Sequence, residues 1–153
     1  MFFKKKTARD SDTSDGSSKR RKPDPEGPEA LILRARDAII KQAIDQNADA
    51  VIIQPTVEEA RIQFRVGDSW ADALSVPNHV YRELVASLKQ AAQLPRTRSS
   101  WFELGLILFE HDGVEYEAYV SFLPTRAGDR VAMRLIADSG APHGLTPYEL
   151  LHL

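Results

Sequence analysis

Asp112-Gly113-Val114-Glu115-Tyr116-Glu117-Ala118-Tyr119-Val120-Ser121-Phe122-Leu123 is the stretch whose reading decides the fold. Val114, Tyr116, Ala118, Val120 and Phe122 alternate with Glu115, Glu117, Tyr119, Ser121 and Leu123. A period of two places alternate side chains on opposite faces, so this is a strand with one buried face. Asp112-Gly113 in front of it is a hairpin signal, because both turn positions favour positive φ. The preceding partner strand spans residues 101–110. Beyond Leu123, the segment from Pro124 to Asp129 reads as a longer turn, and residues 130–137 form a third strand.

Upstream, a similar triplet is legible. Ala50-Val51-Ile52-Ile53-Gln54 is a short apolar strand stopped by Pro55. Ala60, Ile62, Phe64 and Val66 alternate with Arg61, Gln63 and Arg65, which predicts a strand whose outer face carries arginine. Gly67-Asp68 makes a turn, and Ser69 to Leu74 returns as a third strand carrying Trp70. A helix precedes each triplet. Over residues 31–47, Ile32, Ala35, Ile39 and Ala43 recur at helical spacing, and Asn47 suits the helix end. From residue 78, with Asn78 as the cap, Val80, Leu84, Leu88 and Ala92 line one face, and Pro95 ends the helix. Tight turns within each triplet imply antiparallel meanders covered by the two helices, an α+β domain. Thr146-Pro147-Tyr148-Glu149 reads as a capping box opening a short helix over 148–153.

The chain has 153 residues, 42% hydrophobic and 27% charged, with no cysteine and a formal net charge of −2. The length allows one domain of ordinary size, plus a tail. Absence of cysteine excludes a disulfide scaffold, a thiolate zinc site and a cysteine nucleophile within these residues. No apolar run reaches the roughly 18 residues of a membrane span, and Met1-Phe2-Phe3-Lys4-Lys5-Lys6 lacks the apolar stretch of a signal peptide. A cytoplasmic protein is the expectation.

Charge divides the chain. Residues 1–30 hold eight Lys/Arg against six Asp/Glu, and residues 31–153 hold twelve against sixteen. The first segment is rich in Ser, Asp and Lys with Pro23, Pro25 and Pro28, and reads as a disordered tail, since it has too little apolar surface to offset its chain entropy. Its run Lys19-Arg20-Arg21-Lys22 can contact an anionic surface, although such runs are ordinarily just solvated.

Catalytic constellations are missing from the pattern. His79, His111, His143 and His152 fall on different elements with no i,i+4 pair, and each reads as a surface or turn residue. Glu115 and Glu117 share a strand face without a third ligand, and read as its solvated side. The eight glycines are dispersed, no Gly-Lys dipeptide occurs, and no lysine follows Lys89, so the chain carries no phosphate-binding P-loop. No enzyme activity, metal or cofactor is expected.

From residue 31 to 136 the sequence resembles the N-terminal domain that precedes the motor in the assembly ATPases of type II secretion and type IV pili. Ala48-Asp49-Ala50-Val51-Ile52-Ile53-Gln54-Pro55 stands where that family has Ala-Ser-Asp-Ile-His-Ile-Glu-Pro. Gln63-Phe64-Arg65-Val66-Gly67-Asp68 stands at its Arg-Phe-Arg-Val-Asp-Gly. Ser87-Leu88-Lys89 is similar to its Arg-Leu-Lys, and Tyr119-Val120-Ser121-Phe122-Leu123-Pro124-Thr125 to its Arg-Val-Ser-Thr-Leu-Pro-Thr. Gly128-Asp129 and Ala132-Met133-Arg134-Leu135-Ile136 match its Gly-Glu turn and Val-Leu-Arg-Leu-Leu strand. The resemblance implies a PAS-like antiparallel sheet with helices packed on it, spanning residues 31–140, and a short C-terminal helical segment over 141–153. In the family this domain packs on a neighbouring subunit's ATPase domain, and its arginines approach phosphate. Arg61, Arg65 and Arg134 are the corresponding candidates here for a partner or phosphate contact, a task suited to the planar guanidinium.

Ala50, Ile52, Gln54 and Tyr119 depart from the family's Asp, His, Glu and Arg, the Asp-Gly turn is inverted, and the sequence stops where a motor domain would begin. The expectation is a non-catalytic interaction protein of a type II secretion or type IV pilus system, docking on an assembly ATPase or inner-membrane platform protein. A PAS-like small-molecule sensor is the alternative, with Trp70, Trp101, Phe102, Phe109, Tyr116 and Phe122 lining a pocket. Nucleic-acid binding through the tail is a third reading, which predicts steep salt dependence.

Overall fold

A computed structural model of the chain describes residues 27–97, 100–137 and 153. Two compact units divide at Leu31: residues 1–31, of which only 27–31 are described, and residues 32–153. Residues 1–26 of the expected basic tail, with its Lys19–Lys22 run, lie outside the described residues, as does the expected C-terminal helix except for Leu153.

The first helix, α1 (Pro28–Asp45), begins three residues before the sequence period announces it. Residues 28–30, assigned above to the tail, are therefore helical. Pro28 occupies the opening position, where a missing N–H costs nothing, and Glu29 adds a negative charge to the first turn. In the second unit, α1 buries Ile39, Ile40 and Ala43, whereas Ile32 and Ala35 are only half-buried. Asn47, with φ of 62°, ends the helix as expected, and the Ala48 N–H donates back to the Ala43 carbonyl.

Three strands follow: β1 (Ala50–Pro55), β2 (Glu59–Val66) and β3 (Ser69–Pro77). Next come α2 (Asn78–Ala91), β4 (Glu103–His111), β5 (Val114–Thr125) and β6 (Gly128–Ala137). Asn78 does not cap α2. Pro77 holds the cap position with no side-chain hydrogen bond, and the Asn78 Nδ2 donates instead to the Val57 carbonyl at 2.6 Å. The helix also stops short of Pro95, at Ala91, before a turn in which Gln93 adopts φ of 60°.

All six strands form one antiparallel sheet in the order β3-β2-β1-β6-β5-β4. Each triplet is a meander, and the first strand of one joins the last strand of the other, with Ala50 opposite Arg134 and Ile53 opposite Val131. The Asp112-Gly113 hairpin has both residues at positive φ, as expected. The turn after β5 is tighter than expected. Pro124 pairs with Asp129 and Thr125 with Gly128, leaving only Arg126 and Ala127 outside the ladder.

One face of the sheet meets the helices. Val51, Ile53, Ile62, Phe64, Ala118, Val120, Phe122, Val131 and Met133 pack there with Ile39, Ile40 and Ala43 of α1 and Tyr81, Leu84, Val85 and Leu88 of α2. Every inward position predicted for β5 from Ala118 onward is buried, while Val114 at the hairpin is exposed. Around Ile53, Leu84, Leu88 and Met133 no volume is left even for water. No helix among the described residues is long and apolar enough to cross a membrane.

Candidate functional site

The opposite, outer face of the sheet receives neither helix's apolar stripe, and it is where the sequence places its arginines. Strand register builds a row across all six strands: Trp70, Arg65, Ala50, Arg134, Tyr119 and Leu106. Alternation along β2 and β6 sends Arg65 and Arg134 outward, and Ala50 between them is too small to separate them. Both converge on Asp49, the residue just before β1. Arg65 binds it through two parallel bonds, Nε to Oδ1 at 2.9 Å and Nη2 to Oδ2 at 3.1 Å. Arg134 Nε stands 4.0 Å from Oδ2. The Arg65 guanidinium also lies 5.7 Å from the centre of the Trp70 ring, which offers its negative π face to the cation.

The backbone locks this corner in place. The Asp49 N–H donates to the Arg65 carbonyl at 3.0 Å and its carbonyl accepts from the Leu135 N–H at 2.9 Å. Two cations thus share the Asp49 carboxylate on a half-buried platform, and the charge of Asp68 also acts on Arg65. Such an arrangement can receive a carboxylate or phosphate oxygen from outside.

Burial pushes the Asp49 carboxyl upward, but the hydrogen bond from Arg65 and the charges of Arg65 and Arg134 outweigh it and hold the group below its ordinary value. The hydrogen bond to Asp49 likewise raises Arg65, so the guanidinium stays charged. A carboxyl depressed in the folded state stabilises the protein above its unfolded pKa, about 3.9, and that contribution fades as pH falls through the lower folded value. Asp49→Asn is therefore expected to lower the urea midpoint at neutral pH and to flatten its decline below about pH 4. An acid limb of unchanged slope would show that Asp49 is not engaged.

Of the three arginines singled out from the sequence, the structure brings together Arg65 and Arg134. Arg61 shares the face but stands apart, paired across the strands with Gln54 and Ser75. Asp49, the centre of the cluster, was not among the candidates. Its signal in the sequence is an acidic residue directly before the apolar strand that begins at Ala50. On the same face, Arg130 is lowered by burial, and its Nη2 donates to the Leu153 carbonyl at 3.0 Å.

The histidine reading changes at one position. His111 is half-buried rather than loose on a turn, with Nε2 2.7 Å from Asp45 Oδ1 and 3.6 Å from Asp112 Oδ2. Glu115 is exposed as expected, whereas Glu117 is half-buried and accepts the Tyr119 hydroxyl at 3.1 Å. The aromatic residues collected for a sensor pocket are dispersed. Trp70 is on the outer face, Trp101 is 75% exposed, Phe109 and Tyr116 stack on each other, and Phe122 is buried in the core. A cavity of about 370 Å³ does exist elsewhere, between α2 and the β5–β6 turn, bordered by Tyr81, Arg82, Lys89, Arg96 and Asp129.

A family model described as "Type II/IV secretion system protein" matches residues 26–150. Type II secretion system protein E of Xanthomonas campestris pv. campestris is 26% identical over 108 residues, covering 71% of this chain and 19% of that protein. Type II secretion system protein HxcR of Pseudomonas aeruginosa is 28% identical over 107 residues, covering 70% and 23%. The type IV pilus assembly ATPase PilB of Myxococcus xanthus is 24% identical over 119 residues, covering 77% and 21%. The chain spans about a fifth of the length of each of these relatives.

Proposed function

The chain belongs to the Type II/IV secretion system protein family, and on that premise we propose that it works as a non-catalytic docking domain. Its partner in this reading is an assembly ATPase or platform protein of a type II secretion or type IV pilus system, and its compartment is the cytoplasm. The observation that carries the reading is the convergence of Arg65 and Arg134 on Asp49, on the sheet face opposite the one that α1 and α2 pack on. A guanidinium already oriented by one carboxylate loses little freedom when a second acidic group from a partner approaches, so affinity is gained without a reorganisation cost. A non-catalytic role is supported by the dispersed glycines and by the lack of any Gly-Lys pair in these residues. The PAS-like description of the sheet belongs to the same reading.

Co-purification tests it. The tagged chain is expected to retain an assembly ATPase or platform protein of its own host, and Arg65→Glu with Arg134→Glu is expected to reduce that retention at least tenfold, with an unchanged circular dichroism spectrum. Failure with every such ATPase and platform protein of the host would remove the reading. Retention that ignores both substitutions would move the contact to another surface.

A further inference from the structure

The two ends of the sheet differ in how they are protected. A strand at a sheet edge exposes main-chain donors and acceptors that another chain can pair with, and proteins blunt such edges with bulges, charges and proline. The β3 edge has these devices. Its register shifts opposite Ile62 and Gln63, it carries Asp72, and it ends in Pro77. The β4 edge, which pairs with no second strand among the described residues, has none along its middle. Glu103 to His111 pair with β5 residue for residue, without a bulge, and contain neither proline nor lysine.

Side chains sharpen the contrast. Leu104, Leu106 and Leu108 all point to the outer face and are 37%, 40% and 69% exposed. Alternate residues on a strand are about 7 Å apart, so the three form a straight apolar row along the open edge. The row ends at Glu110, which lies directly opposite Glu115 of β5. Neither carboxylate has an ion pair or hydrogen bond among the described residues. Like charges facing each other across a ladder are destabilising, and among the described residues no ion pair offsets them. An apolar row beside the edge, closed by two facing carboxylates that form no ion pair among the described residues, is complementary to an extended segment with alternating apolar residues and a terminal cation.

We propose that the β4 edge is a strand-addition site for such a segment of a protein partner. Main-chain hydrogen bonds supply affinity, and alternate side chains supply selectivity. The apolar residues of the segment lie against Leu104, Leu106 and Leu108, and its lysine or arginine lies beside Glu110 and Glu115. The inference rests on the docking reading for there being a protein partner, but the edge is four strands from Arg65 on β2 and two from Arg134 on β6, roughly 19 Å and 10 Å at the usual strand spacing. Arg65→Glu leaves it intact.

A fluorescein-labelled peptide Lys-Thr-Val-Thr-Val-Thr-Val, added to the full chain, tests it. In antiparallel register it sets its lysine against Glu110 and its valines against the three leucines. Saturable binding by anisotropy is expected, with slower amide exchange in β4 and no change in β3. Leu106→Glu should weaken binding at least tenfold. Glu110→Lys with Glu115→Lys should invert the preference, favouring the peptide with glutamate in place of lysine. These positions are exposed, so the folded spectrum is retained in every variant. No saturable binding up to 1 mM, or binding indifferent to the charge exchange, overturns the proposal. So does a wild-type dimer that Leu106→Glu dissociates, because the occupant is then a second copy of this chain.

Discussion

Lys89→Ala is expected to lower the unfolding free energy by about 3–5 kcal/mol, the cost of breaking a buried ion group by removing one partner. Lys89 is 1% exposed, on α2. Its ammonium stands 2.9 Å from Asp129 Oδ2 and 3.1 Å from Glu103 Oε1, and donates to the Thr97 carbonyl at 3.3 Å. The contact with Glu103 lies at ion-pair distance without hydrogen-bond alignment, so it acts through charge. Without the ammonium, two carboxylates remain side by side with little access to water. Domains of this size unfold with about 5–15 kcal/mol in hand, so the variant is expected to be close to unfolding at room temperature. Urea titration followed by far-ultraviolet circular dichroism measures the loss. Lys89→Met should lose nearly as much despite retaining apolar bulk, because charge is the cause. A loss below about 1 kcal/mol, the range of an exposed pair, would mean that the group is solvated.

Phe122→Ala is the second large effect, at about 3–5 kcal/mol. Phe122 is among the largest fully buried side chains, flanked across the ladder by Glu103 on β4 and Val131 on β6. Removing its ring opens a cavity that the surrounding strands cannot close, because their positions are tied by ladders on both sides. The ring also lies 5.4 Å from the Lys89 ammonium, so the substitution removes an aromatic face from a buried cation. Phe122→Leu, which keeps most of the volume, should recover more than half of the loss. A double-mutant cycle of Lys89→Met with Phe122→Leu is expected to show coupling of about 0.5–3 kcal/mol, and strict additivity would separate the ring from the ion group.

Much of the architecture was legible because its period is local. Alternation in β2 and β5, the positive-φ pair Asp112-Gly113 and the helical stripe ending at Asn47 each depend on neighbours within a few residues. Errors fell at element ends, where other bonds compete. Asn78 has a capping side chain, yet Val57, twenty-one positions earlier, takes its amide. The β5–β6 turn looked long because Pro124 suggests a break, but proline can sit in a strand where its nitrogen is not required for the ladder. The candidate site was half legible. Strand alternation put Arg65 and Arg134 on an outer face, but their meeting depends on β1 and β6 becoming neighbours, and residues 50 and 134 are far apart in sequence.

By itself the sequence determined the order of two helices and six strands over residues 28–137, the inward side of β2 and β5, and the lack of a P-loop in these residues, since all three follow from spacing along the chain. The tertiary structure alone decided which strands adjoin. That pairing of the two meanders through β1 and β6 placed two arginines around Asp49, and left β4 as an unguarded edge. It also seated Lys89 between Glu103 and Asp129, a buried charge that helical periodicity cannot announce, because its partners come from strands that only folding brings to the helix.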